Sequence, residues 1–276
     1  MTMRTARLAP MTEHLDVAQR TALDAATICV GLFLPTALIA LADARTLDGA
    51  NIWAKPLKFQ FSLGLHWLTV AMLLSFLATG VRQRASTLVP LHLAALCTVV
   101  EVLYITLQAA RGRHSHFNFE TRLETLLYYG VMGPAAVAIV AVAAWLGWLI
   151  WRHPAPHRRP GLVLGASLGL MLGSIATLVV TAPLAAGAID GPGHWVGGLR
   201  SDARGWPLFG WSTTGGDLRV PHFFATHLLQ ALPLVGWLAD WIAPQHARAT
   251  VWAAAAVGLL VTALALAQAV RGNPFL

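Results

Sequence analysis

The sequence predicts an all-α integral membrane bundle of seven transmembrane helices. Three observations predict it: the composition, the length of the apolar runs, and polar stripes that cross three of those runs. The 276-residue chain is 57% hydrophobic and only 11% charged, whereas about a quarter of the residues of an average soluble domain are charged. Its mean hydropathy is +0.62. Apolar runs lie near 22–43, 57–80, 86–110, 123–151, 161–185, 218–242 and 250–270, each near or beyond the roughly 20 residues that cross a bilayer as helix. In lipid the backbone must satisfy its own hydrogen bonds, and these runs are too long and unbroken for barrel strands. The expected organisation is a polar tail, 1–21, followed by one seven-helix domain, 22–276, with a long outer connection at 186–217.

Each element has its own justification. Residues 1–21 are polar and basic with no apolar core of their own, so the first span is expected to act as its own insertion signal and no cleavable signal peptide is read. The second span begins after Lys55-Pro56, and the third ends in Gln108-Ala109-Ala110-Arg111-Gly112. The fourth and fifth are joined by the basic stretch 152–159. Asp217 precedes the sixth span, where it can cap free amides, with Pro221 near the first turn. The seventh ends in Gln268-Ala269-Val270-Arg271-Gly272, which repeats the end of the third at an offset of 160 residues. Spans two and six share that offset, which raises a 3+1+3 parallel repeat as an expectation.

Of the 19 Lys and Arg residues, nine fall on the side of the N-terminus and ten on the other, so the count alone does not orient the chain. The short basic loops 81–84 and 152–159 contain no acids, and on that ground the N-terminus is expected in the cytoplasm and the C-terminus outside. A pI near 10.4 would suggest nucleic acid in a soluble chain, but here the basic residues flank spans, and no nucleic-acid partner is expected. Cys29 and Cys97 lie within spans, giving neither a disulfide framework nor zinc spacing. In the long connection, Asp190-Gly191-Pro192-Gly193 reads as a turn, and Trp195, Trp206 and Trp211 as headgroup-level anchors.

The stripes carry the functional reading. Lys55-Lys58-Ser62-His66, Glu101-Tyr104-Gln108-Arg111 and Arg219-His222-Thr226-Gln230 each fall within an arc of roughly 80° at 100° per residue. Ionisable groups are costly in hydrocarbon and line a bundle interior or a watered cavity, so the three seams are expected to face one shared site. His66, Glu101 and His227 each lie roughly 15 Å from the outer end of their helix, at 1.5 Å per residue. Glu101, the acid placed well within a span, is the expected catalytic or proton-carrying group and requires a partner. His222 and His227 are about 140° apart and cannot chelate one ion together. His66, His222, His227 and His116 are the candidate metal or haem ligands. Lys55, Lys58, Gln108, Arg111, Arg219 and Gln230 are the candidate groups for holding a cofactor or an anion, whether haem propionates, a lipid headgroup or a small solute.

The stretches Lys55-Pro56-Leu57-Lys58-Phe59, Gln108 to Asn118, and Gly216-Asp217-Leu218-Arg219 through His227 to Pro233 resemble segments of a bacterial multi-span membrane family. That resemblance implies a bacterial plasma membrane and no particular activity. Ser62 and His66 on the second span, an acid on the third and paired histidines on a late span are also similar to the seven-span ceramidase and adiponectin-receptor-like zinc hydrolases. The chain departs from that pattern: the acid is Glu101, the histidines are spaced HxxxxH, and they lie on the sixth span. The residues leave three classes open: a redox protein binding haem b or a transition metal, a proton-coupled transporter of a small or anionic solute, and an intramembrane zinc hydrolase or a non-catalytic scaffold.

Overall fold

The computed structural model describes residues 15–275. The chain is mostly helical, and its long helices are α1 (Val17–Ala42), α2 (Ala54–Leu73), α3 (Ala85–Ala110), α4 (Arg122–Arg152), α5 (Pro160–Ala185), α6 (Arg219–Ile242) and α7 (Ala247–Val270). All but α6 are long and apolar enough to cross a membrane. α6 is as long as α7, but Arg219, His222, His227, Gln230 and Asp240 make it the most amphipathic of the set. Large aliphatic side chains lie exposed on most of these helices, including Leu41 (86%), Leu96, Val179 and Leu264. A contiguous apolar surface of this kind requires lipid around it.

The helices associate in two groups of three. α1, α2 and α3 pack against one another, as do α5, α6 and α7, while α4 bridges α3 and α5. Where the groups face each other, α2 and α6 touch only sparsely. The closest packing is between α5 and α6. Gly161, Gly165, Gly169 and Gly173 fall four residues apart on one face of α5, and a Cβ on them would collide with the α6 backbone at Gly236, Leu232, Leu228 and Ala225 respectively. Small residues let two membrane helices bring their backbones together, which adds dispersion contacts where the hydrophobic effect adds nothing. Asp240 of α6 then accepts hydrogen bonds from the Gly161 and Leu162 amides (2.9 and 2.7 Å), satisfying the free N-terminus of α5 across the interface.

Two ends of the molecule differ. The upper end, which carries the connections 43–53, 111–121 and 186–217, holds two small hairpins, β1 (Thr46–Leu47) with β2 (Ala50–Asn51) and β3 (Trp195–Val196) with β4 (Gly216–Asp217). Each hairpin ends just before a helix, α2 or α6, and packs on the end of the third helix of its group, at Ala109 or Ala269. α3 and α7 also finish alike. Gly112 (φ 68°) and Gly272 (φ 75°) adopt left-handed backbone, and Gln108 and Gln268 reach the carbonyls of His114 and Pro274 (3.3 and 2.5 Å). The glycine supplies a conformation that a side chain would strain.

The expected tryptophan anchors are elsewhere. Trp195 and Trp211 are 9% and 6% exposed; Trp211 joins Trp206, Phe209, Phe223 and Phe275 in an aromatic cluster that seals the 186–217 connection onto α6. These rings gain more from burial against one another than from the interface. The exposed indoles are at the lower end instead: Trp145, Trp148 and Trp151 of α4, Trp237 and Trp241 of α6, and Trp252 of α7. They form the belt expected at a membrane–water boundary. Asp217 is not the N-cap residue of α6, a position held by Leu218, yet its Oδ1 still accepts from the Arg219 amide (2.9 Å).

Candidate functional site

Three interhelical hydrogen bonds set the relative heights of α2, α3 and α6. Gln60 donates to Thr106 (3.3 Å) and Trp67 to Thr98 (2.9 Å), so α2 and α3 run antiparallel. Interpolation puts Glu101 level with Gly64 and Leu65. α6 and α2 both start from the upper end and so run parallel; Gln230 donates to Thr69 (3.4 Å), and three residues back along each helix His66 is level with His227. Glu101, His66 and His227 thus share a depth. They do not share contacts: no ion pair or hydrogen bond joins Glu101 to either imidazole among the described residues.

Glu101 is answered from above. Its side chain is 3% exposed, neither carboxyl oxygen has a hydrogen-bond donor, and His116 Nε2 is 3.8 Å from Oε2. The His116 ring lies beside Phe59 and Tyr128, with centroids at 5.7 and 6.0 Å. A loop residue reaches this depth because Gly112 turns the chain back at the end of α3 and Phe117 takes a left-handed φ of 56°. Asn118 then fastens the loop by donating to the His114 carbonyl (2.8 Å). Ser115 Oγ pairs with His116 Nδ1 (3.2 Å), leaving Nε2 directed at Glu101. Burial, reinforced by the charge of Lys55, holds His116 well below the usual histidine range. Lys55 is near enough to Glu101 for their charges to interact, and its ammonium sits 5.9 Å from the Phe59 ring centre. A buried carboxyl without donors is expensive in its charged form. Here the groups able to relieve it are one imidazole, one ammonium and a proton.

The other seam residues are largely paired. On α3, Gln108 donates to Tyr104 Oη (2.9 Å) and accepts from Arg111 (2.7 Å). On α6, His222 Nδ1 pairs with Thr181 Oγ1 (3.0 Å) and Thr226 with Thr177 (3.3 Å), both on α5. The α6 seam is therefore divided between α5 and α2 rather than aimed at one pocket. Two of the cations expected to hold an anion are also answered. Lys58 donates to the Phe209 carbonyl (2.8 Å), and the Arg219 guanidinium forks onto Asp202 (2.9 and 3.0 Å) while also reaching Asp217 and the Gly210 carbonyl. His194 Nε2 is 3.5 Å from Asp202. Burial pushes the Asp202 carboxyl up, but His194 and Arg219 outweigh it and hold the group below the usual carboxylate range. Desolvation lowers His194.

The four candidate ligands occupy three surroundings: His116 at Glu101, His222 at Thr181, and His66 level with His227. His227 gives Nδ1 to the Phe223 carbonyl (2.8 Å), and His66 meets Trp67 edge-on (5.6 Å). Among the described residues, no group of three or more His, Cys, Asp or Glu side chains converges as a metal-binding set. Two participants were not singled out from the sequence, Asp202 and Ser115. Asp202 carries no motif, and Ser115 carried only its place in a donor-rich loop.

The fold and site define a class: a polytopic helical membrane bundle with a buried carboxyl–imidazole pair closed from one end by three connections. No protein-family model, curated protein or solved structure matches the chain.

Proposed function

We propose that this protein is a proton-coupled membrane carrier of a small anionic solute, with Glu101 as the proton-bearing group. The observation that carries the reading is the Glu101 carboxyl, buried at mid-helix depth, without a donor, and facing the His116 imidazole at 3.8 Å. A solute carboxylate or phosphate arriving beside Lys55 would raise the proton affinity of Glu101, which couples solute binding to proton uptake. α6 is taken as a seventh span, its polar atoms covered by α5 and the 186–217 connection. The N-terminus is placed in the cytoplasm and the C-terminus outside, in a bacterial plasma membrane, as the acid-free lower loops and the family resemblance suggest. The matched ends of α3 and α7 and the matched hairpins before α2 and α6 support a 3+1+3 parallel duplication, with the site near the junction of the halves, where carriers place it.

Proteoliposomes with an internal pH dye test this reading, using inorganic phosphate and succinate as probes. Solute-driven proton entry is expected with the native chain and lost in Glu101→Gln, with insertion unchanged. Equal flux in the variant, or none in the inserted native protein, overturns it.

One observation favours a second reading. His66 and His227 stand level on α2 and α6; they would be the residues to hold a haem b, which would supply electron transfer, with Lys55 and Lys58 on the α2 seam above and Arg219 on that of α6. A Soret band lost in His227→Ala would establish a redox protein in place of a carrier.

A further inference from the structure

The lower end carries a basic surface that the buried site does not use. The turn after α2 and the connection between α4 and α5 are separate in sequence, yet they are stitched edge to edge. Ala78 N donates to the His153 carbonyl (2.9 Å) and Ala155 N to the Phe76 carbonyl (2.7 Å), with Leu77 opposite Pro154. The stitch gathers Arg82 and Arg84 from one loop with Arg152, Arg158 and Arg159 from the other. Trp145 bonds the Ser86 carbonyl (3.0 Å), holding the lower ends of α3 and α4 side by side.

Two acids at this end are already engaged. Asp16 pairs with Arg82, and Asp240 is held by the Gly161 and Leu162 amides. Among the described residues no carboxylate pairs with Arg84, Arg152, Arg158 or Arg159, and all four side chains are exposed. At the upper end most arginines are paired with carboxylates, namely Arg45, Arg111, Arg113, Arg200 and Arg219, whereas among the described residues Arg122, Arg204 and Arg271 are not. One of the four is held in place: the Arg158 guanidinium lies over the Phe76 ring at 5.6 Å. Beside them Trp145 and Trp148 stack at 4.8 Å and Trp151 meets Trp252 at 6.1 Å, all partly exposed. Guanidinium groups fork onto phosphate oxygens, and indoles settle at headgroup depth.

We infer that this stitched platform binds the phosphate headgroups of anionic phospholipids in the leaflet lying against it. The occupant is a lipid because the cations stand at the level of the indole belt, where a headgroup is the polyanion at hand. Basic clusters beside membrane helices are drawn to anionic leaflets by the same electrostatics, which added salt screens.

The test uses the full chain in nanodiscs of mixed phosphatidylcholine and phosphatidylglycerol, with bromine on the acyl chains of one lipid or the other. Tryptophan fluorescence should be quenched more strongly when phosphatidylglycerol carries the bromine. That preference should fall severalfold in the R152Q/R158Q/R159Q variant, persist in the matching Arg→Lys variant, and shrink as salt is added. Equal quenching by the two lipids in the native protein overturns the inference, as does a preference unchanged in the Gln variant. Should the Gln variant fail to insert, the salt titration of the native chain decides, because a preference indifferent to salt also overturns it.

Discussion

The two groups of three helices share a plan and differ in how they treat polar atoms. In α5–α6 most of the seam is spent: His222 and Thr226 are bonded to α5, Asp240 caps α5, and glycines bring the backbones into contact, while Gln230 keeps an uncharged amide oxygen without a partner. In α2–α3 the seam leaves an ionisable group open, with both Glu101 oxygens lacking partners. Buried polar groups are ordinarily satisfied, and those that are not tend to mark strain or function. The difference teaches that one half serves as the rigid frame and the other carries the chemistry.

Glycine-to-alanine exchanges break this contrast most sharply. Gly165→Ala drives a Cβ into the Leu232 backbone and should cost about 2–4 kcal/mol, as overpacking against an immovable neighbour does. Gly64→Ala in the first half meets the Val30 methyl at 3.0 Å, with Cys29 Cβ and the Val30 amide at ordinary contact distance, and should cost less than about 1 kcal/mol. Thermal unfolding in detergent compares the two, and equal losses would erase the distinction between frame and working half. Next in size, Asp240→Ala frees the α5 amides and should cost about 1–2 kcal/mol, with faster hydrogen exchange at Gly161 and Leu162.

Acid should loosen the upper connections. His116 and His194 are held below the ordinary value of 6.5 by burial, so the unfolded chain binds more protons than the folded one. The stability of their neutral forms is present above pH 6.5 and is lost as pH falls from there toward the depressed folded values. Asp202 is depressed as well, so its contribution persists to still lower pH and is lost as pH falls through its folded value. Exchange in 111–121 should rise below pH 6.5; protection there that is indifferent to pH would contradict the assignment. The smallest effect is on stability in Glu101→Gln. Removing a carboxyl with no donors should leave the melting temperature unchanged or slightly raised, and a marked loss would mean that Glu101 is a structural strut.

The spans were legible because an apolar run of sufficient length has one use in a membrane protein. α6 was legible as a helix but reads poorly by hydropathy, since its polar atoms are matched by Thr177, Thr181 and Asp202, partners remote in sequence. The second run was read as 57–80, whereas α2 passes into a 3-10 turn at Leu74–Phe76, because apolar residues continue into the lower loop. Four-residue glycine spacing along α5 was present in the sequence and could have named the tightest interface. The depth of Glu101, His66 and His227 followed from helical rise alone. Their partners did not. That His116 descends onto Glu101 depends on left-handed backbone at Gly112 and Phe117 and on the Asn118 clip, which leave no periodic trace. That Arg219 is neutralised depends on Asp202, placed by the fold of a long connection.

The π turn at Tyr128–Met132 lies where α4 passes His116, and it accommodates one residue more than regular winding would. Excising Gly130 should convert this stretch to unbroken α-helix, leave everything from Gly133 onward in its present setting, and rotate Arg122–Leu127 by about 100°. Glu124 would then swing away from Arg113, and the loop that delivers the imidazole would lose its anchorage. A single surplus residue in the bridging helix acts as the spacer that aims this loop.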